Sequence, residues 1–265
     1  MTRSVEACRL CGAPTTAIFT ARLLSKYDVD YLECTACHSL QTQQPFWLDE
    51  AYAHNLGDMD CGAAQRNLSS ATASMIVAKL WGLHNAVDHG GGDGLLCRLL
   101  RDYGLNCFVE DKYAAPTYAQ GYAQPDFDVP DVVFAFEVFE HFTDPDMEIG
   151  ALFSRRPKVL FGSTQQYTNQ RAEWGYLSRH SGHHIFFYSN DGLDVIGRKH
   201  GYRAVRSGPY FLFVRNDLAS ASKIGRFRVL THKVMLRLLR GVLVVAPHRG
   251  VARDIAARRG ELETS

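Results

Sequence analysis

The sequence predicts an α/β chain in three parts: a small four-cysteine module over residues 1–48, a strand–helix domain over 49–217, and a basic helical tail over 218–265. Three observations lead there. Cys8, Cys11, Cys34 and Cys37 form two C-x2-C pairs. From Ala86 onward, short apolar runs alternate with a glycine-rich turn and amphipathic segments. Residues 218–265 hold 10 Lys/Arg and 3 Asp/Glu, net +7, while residues 1–217 hold 19 and 25, net −6. With 46% hydrophobic and 22% charged residues the composition is that of a globular protein. The apolar stretch 241–247 is far shorter than the roughly 20 residues that cross a bilayer. MTRSVEACRL carries no apolar signal core, so the expectation is a cytoplasmic protein.

Two residues between cysteines let a tight turn aim both thiolates at one ion, and two such turns complete a tetrahedral site. The four cysteines are therefore read as ligands of structural zinc in a zinc-ribbon-like module; two disulfides are the competing reading, disfavoured in the cytoplasm. Cys61, Cys97 and Cys107 read as small buried hydrophobes. Between Cys8 and Cys37, Arg9, Arg22 and Lys26 are set against Asp28, Asp30 and Glu33. No basic stripe emerges, so nucleic acid is not the expected partner. The connector QTQQPFWLDEAYAHN is aromatic-rich and suits packing of the module onto the strand–helix domain.

Gln65–Leu83 has helical spacing, and Ala86–Val87 is a short strand ending at Asp88. Gly90, Gly91, Gly92 and Gly94 come next, then the amphipathic LLCRLLRDYG. Strand, glycine turn and helix together bring backbone N–H groups against a ligand. Cys107–Val109 reads as a second strand closing in Glu110 and Asp111, where a carboxylate can accept both hydroxyls of a ribose. A dinucleotide fingerprint would need glycine or alanine at Leu95; the pattern present is D-x-G-x-G-x-G.

That pattern resembles motif I of the class I S-adenosylmethionine-dependent methyltransferases. The resemblance implies that Asp88 and the four glycines hold the cofactor and that Asp111, with Glu110 as near alternative, holds its ribose. DVVFAFEVFEHFTDP resembles the family's fourth-strand motif, with strand Val132–Phe136 and Glu137 beside the methyl-transfer position. KVLFGST (158–164) resembles strand five, and 201–216 the closing antiparallel pair. The implied architecture is a Rossmann-like seven-stranded methyltransferase sheet whose third strand is Tyr118–Tyr122. With the cysteine module in front, the chain is similar to bacterial sugar and surface-polysaccharide methyltransferases. That implies a small acceptor such as a nucleotide sugar or glycan precursor.

A long insertion after strand five carries Tyr167, Trp174, Tyr176, His180, His183, His184 and Tyr188. Loops of this length in a compact domain are usually functional. Aromatic rings there suit stacking on a sugar, and His180, His183 and His184 are candidate bases. The resemblance assigns the base to His184. His183 and Ser181 replace the acid and tyrosine of the sugar C-methyltransferases, which weighs against C-methylation and leaves O-methylation open. A second reading groups Glu137, Glu140, His141 and a loop histidine into a Mg2+ or Mn2+ site, resembling that of some O-methyltransferases. A non-catalytic cofactor-binding or scaffolding protein is the alternative from another class. In the tail, residues 223–245 set Arg226, Lys233, Arg237 and Arg240 beside Phe227, Val234, Leu238 and Val242. One amphipathic helix is expected there, suited to a membrane surface, to packing on its own domain or to self-association.

Overall fold

The computed structural model describes residues 6–53, 61–245 and 248–263. β1 (Thr15–Leu23) and β2 (Tyr27–Cys34) form an antiparallel hairpin to which β3 (Leu40–Thr42) is added. A short α1 (Leu48–Tyr52) leads towards α2 (Ala63–Trp81), in place of the helix expected over 65–83. Then come β4 (Asn85–His89), α3 (Leu95–Asp102), β5 (Asn106–Glu110), β6 (Val132–Phe136), α4 (Pro145–Ser154) and β7 (Val159–Ser163). Beyond the insertion lie β8 (Phe186–Phe187), α5 (Asn190–His200), β9 (Tyr202–Ser207) and β10 (Tyr210–Arg215). The tail forms α6 (Ala221–Leu230), α7 (Lys233–Val244) and α8 (Arg249–Glu263).

The central sheet has the order β5-β4-β6-β7-β10-β9. Its first four strands are parallel, and β10 runs antiparallel to both neighbours. Both faces are covered, which is why its strands are apolar throughout. Val132 and Phe134 point into one layer with α2, α3, α6 and α7; Val133 and Ala135 point into the other with α4 and α5.

The expected seven strands are six among the described residues, because Tyr118–Tyr122 is a turn. Segment 111–131 carries Pro116, Pro125 and Pro130, which offer no N–H to a ladder. It meets β5 through one backbone hydrogen bond, Val109 N–H to Tyr122 O, and one from the Asn106 side chain to Asp126. Beside this flank α8 packs on α3. The Asp254 carboxylate accepts from Arg98 and Arg101 at 2.8 Å, and Arg101 also donates to the Cys107 carbonyl of β5. A Cβ at Gly250 would overlap the Arg101 carbonyl, so α8 can sit this close only with glycine there.

The single helix expected over 223–245 is two. The break falls at Thr231, which is buried, donates its hydroxyl to the Phe227 carbonyl and lies 2.8 Å from the Ser207 hydroxyl. The cysteine module is not closed at residue 48 either. Its sheet takes a fourth strand, β8, from the insertion, with Leu40 opposite Phe187 and Gln41 opposite Phe186.

Asp254 is the one acid inside this latch. Burial alone would raise its pKa, but Arg101 and Arg98 outweigh burial and hold the carboxyl well below the usual carboxylate range. Its contribution is therefore present above pH ~4 and lost as pH falls. We expect Asp254→Ala to cost about 3 kcal/mol in denaturant unfolding at pH 7, since it leaves the buried Arg101 guanidinium without an acid, while Arg98 keeps Asp102. The deficit should shrink in acid.

Candidate active site

Asp88 is the penultimate residue of β4 and is 2% exposed. Burial pushes its carboxyl up to about 7, against a hydrogen bond from the Cys97 N–H, and its Oδ2 has no partner. Gly90, Gly91, Gly92 and Gly94 wrap over it, and a Cβ at Gly91 would lie 2.5 Å from Asp88 Oδ2. Asp111 braces the loop from β5: Oδ2 accepts the Gly92 N–H and Oδ1 those of Tyr113 and Ala114, all at 2.8 Å. Glu110 is held by Arg155 in a two-point ion pair at 2.7 and 3.0 Å. An orphaned buried carboxylate oxygen beneath a cradle in which a Cβ at Gly90, Gly91 or Gly94 would clash fits a bound polar cofactor.

At the end of β6 the backbone turns sharply. Glu137 has φ +54°, a left-handed conformation rare for a side-chain-bearing residue and common at functional sites. Its N–H bonds the Ser163 carbonyl of β7, and its Oε1 accepts the Ser163 hydroxyl at 2.5 Å. The next 3-10 turn, Phe139–His141, carries Glu140 and His141 under the insertion. There Glu140, His141 and His184 place one ligand atom each within 4.8 Å of one another.

The histidines of this cluster are oriented by backbone. His184 Nδ1 lies 2.7 Å from the Tyr176 carbonyl, and His141 Nδ1 lies 3.1 Å from that of His183. A carbonyl only accepts, so both protons sit on Nδ1 and both Nε2 lone pairs are free. Burial lowers both pKa values; for His141, burial and then His184 and His183 take it to about 3. Glu140 is fully buried. Burial and then the neighbouring Glu137 push its carboxyl well above the usual range, against a hydrogen bond from Tyr176. The Tyr176 hydroxyl lies 2.5 Å from Glu140 Oε1 and 3.2 Å from Glu137 Oε2, while Glu140 Oε2 has no partner. Two neutral imidazoles and a dry carboxylate with an unused oxygen are the donor set a divalent cation takes.

The structure separates the three loop histidines. His184 joins the cluster. His183 is 2% exposed with Nε2 on the Ala51 carbonyl, so it serves through its own carbonyl and not as a base. His180 is exposed and lines a pocket of about 250 Å3 with Arg22, Ser25 and Arg179. The rings expected to stack on a sugar are mostly interior: Tyr167, Tyr176 and Tyr188 are buried, Tyr167 by its hydroxyl on Glu33. Sequence reasoning missed that Tyr176 joins both carboxylates. No local signal marks it, because Glu140 lies 36 positions away.

The four cysteines also converge. Cys8 and Cys37 sulfurs are 3.7 Å apart and Cys11 and Cys34 3.5 Å, and all four lie within 4.8 Å of one another. A disulfide needs about 2.05 Å. A tetrahedron of 2.3 Å metal–sulfur bonds has edges of about 3.8 Å. Each C-x2-C turn is closed by a residue of positive φ, Gly12 and His38, and Cys34 Sγ accepts the Cys37 N–H.

A methyltransferase domain family matches residues 63–207, more than half of the chain. The chain belongs to that family. Solved methyltransferase structures are similar to it. The magnesium protoporphyrin IX methyltransferase of Synechocystis PCC 6803 with bound SAH is 16% identical, over 65% of this chain and 96% of that one, with a TM-score of 0.46. The methyltransferase domain of bacterial CtHen1-C is 17% identical, over 56% and 98%, with a TM-score of 0.41. An O-methyltransferase family protein from Burkholderia thailandensis is 14% identical, over 56% of each, with a TM-score of 0.44. No curated protein matches the chain.

In this methyltransferase domain Asp88 sets a pH signature. Its folded pKa lies above the unfolded value, so its stabilising proton is fully present below pH ~4 and lost as pH rises to about 7. Asp88→Asn should remove that slope and raise the stability of the cofactor-free protein at pH 8 by up to about 4 kcal/mol. Thermal midpoints of both proteins from pH 5 to 8 check it.

Proposed function

We propose that the protein is an S-adenosylmethionine-dependent O-methyltransferase whose acceptor hydroxyl is met at a divalent-cation site formed by Glu140, His141 and His184. The carrying observation is that cluster: a buried carboxyl group and two half-buried imidazoles with ligand atoms within 4.8 Å of one another, both imidazoles with Nδ1 held by backbone carbonyls, and a Glu140 oxygen with no partner. A cation bound there supplies Lewis acidity that lowers the pKa of an acceptor hydroxyl. S-adenosylmethionine supplies the methyl as an activated sulfonium.

The chain's part is alignment. Asp88, the glycine cradle and Asp111 hold the cofactor at the open end of β4 and β5, while Glu137 and the His184 cluster hold the acceptor oxygen at the end of β6. Orientation of this kind supplies much of the rate in a displacement whose electrophile is already activated. The methyl passes from sulfur to oxygen and the hydroxyl releases one proton. Glu137, held by Ser163 and Tyr176, is the carboxylate next to that oxygen and takes the proton. His184 as base and His184 as ligand both use its Nε2, and its place among Glu140 and His141 favours the ligand.

For the acceptor we favour a nucleotide sugar or glycan precursor. The insertion that supplies Tyr176 and His184 also presents Arg179 and His180, which with Arg22 and Ser25 make a polar pocket suited to a phosphate. The four-cysteine group is assigned to structural zinc, because four thiolates at these spacings suit it best.

Elemental analysis of the purified protein should find one tightly held zinc and a second divalent metal that mild chelation removes first. Methyl transfer to screened sugar nucleotides should fall at least tenfold on chelation and return with Mg2+ or Mn2+. Calorimetric S-adenosylmethionine affinity should survive chelation and be lost in Asp111→Ala. Turnover that survives chelation but disappears in His184→Gln would instead make His184 the base.

A further inference from the structure

From Leu218 to Arg253 the chain contains no Asp or Glu. Within it, α6 and α7 form a hairpin carrying Lys223, Arg226, Arg228, Lys233, Arg237 and Arg240, with no acidic partner for any of them among the described residues. One side of the hairpin is anchored: Ile224, Phe227 and Leu236 are buried in the layer that packs on α2. The opposite side of α7 is neither polar nor covered. Val234, Leu238 and Val242, spaced four apart on one stripe, are 61, 64 and 63% exposed, and Val229 on α6 and Val245 just past α7 are exposed as well. Lys233 and Arg237 lie along one flank of that stripe on the helical wheel.

We propose that this hairpin docks the protein on an anionic lipid bilayer, with the Val234–Leu238–Val242 stripe in the acyl–headgroup boundary and the flanking cations on lipid phosphates. An interfacial helix needs a non-polar stripe facing outward with basic residues beside it, and α7 has both on a face its own domain leaves uncovered. Charge complementarity decides the occupant. A second copy would bring another hairpin of six unpaired cations against the first, so an isologous dimer here is repulsive. A nucleic acid would satisfy the cations and leave the aliphatic stripe in water; α6 and α7 carry no exposed aromatic ring on which bases could stack. No helix among the described residues is long and apolar enough to cross a membrane, so the docking is peripheral.

The test is co-sedimentation of the full chain with vesicles of phosphatidylcholine alone or mixed with phosphatidylglycerol. Binding to the mixed vesicles, weak binding to the neutral ones and release by high salt are expected. Each of Lys233→Gln and Arg237→Gln should weaken binding about fivefold. Leu238→Glu should abolish it, with the thermal midpoint and S-adenosylmethionine affinity unchanged because these side chains are exposed. Equal binding to both vesicle types, or none, overturns the proposal. So does concentration-dependent dimerisation abolished by Leu238→Glu, or retention on single- or double-stranded DNA under the same conditions.

Discussion

The two residues of β8 tie the insertion that carries His184 into the cysteine module's sheet. Phe186 and Phe187 complete the cysteine module's sheet against β3. The residue just before them, Ile185, is tied from three sides: its carbonyl accepts from Thr42 N–H and from Arg9, and its N–H donates to the Glu140 carbonyl. His184 comes immediately before that knot. A slip of one residue would turn its side chain to the opposite face. The position of His184 beside Glu140 and His141 is thus set by a strand pairing whose other partner belongs to the four-cysteine module. Arg9, which sits between Cys8 and Cys11, reaches Thr42, Ile185 and Thr143. The sulfur cluster therefore acts on the candidate active site at a distance, by fixing the hairpin that receives β8.

The tail solves a different problem. Losing a third strand leaves β5 as an edge with unpaired backbone groups, which proteins cover or blunt. Here Tyr122 and Arg101 meet that edge, and a helix from the far end of the chain packs on α3 beside them, held by Asp254 on Arg98 and Arg101, with Arg258 on the Gln120 carbonyl. Arg101 serves both sides, since it also caps the Cys107 carbonyl, and its guanidinium lies 3.6 Å from the centroid of the Tyr122 ring. The basic excess of the tail is thus two things. Arg253 and Arg258 are structural on α8, while the cations of α6 and α7 meet no acid among the described residues.

Much of this was legible in the sequence because it is local. The glycine cradle, the acids near the ends of β4 and β5, and the Glu137–Glu140–His141 turn each lie within a few residues, and backbone geometry makes their spacing readable. The two cysteine pairs were readable for the same reason. What escaped depends on long-range contact. Tyr176 looked like a sugar-stacking ring because nothing near it in sequence announces Glu140. His183 and His184 are adjacent and look equivalent, yet the pleat sends one towards Ala51 and the other into the cluster. The predicted third strand at Tyr118–Tyr122 failed because its aromatic residues mimic strand composition while the prolines around it deny it a partner.

Burying two carboxylates and two imidazoles together is costly unless something compensates. In the methyltransferase domain the compensation among the protein's own groups is partial. Tyr176 serves Glu140 and Glu137 with a single hydroxyl, Ser163 serves Glu137, and two backbone carbonyls take the imidazole protons. One buried Glu140 oxygen is left without a partner, and neither Nε2 is used by the backbone carbonyls. The strained backbone at Glu137 adds to the cost. A fold stabilised for its own sake would fill this position with apolar groups, as it does one turn away at Phe139 and Phe142. Keeping acceptors dry, close and unsatisfied makes sense where a positive charge enters. The same logic holds for Asp88, which waits unpaired beneath the glycine cradle at the other end of the path a methyl group would travel.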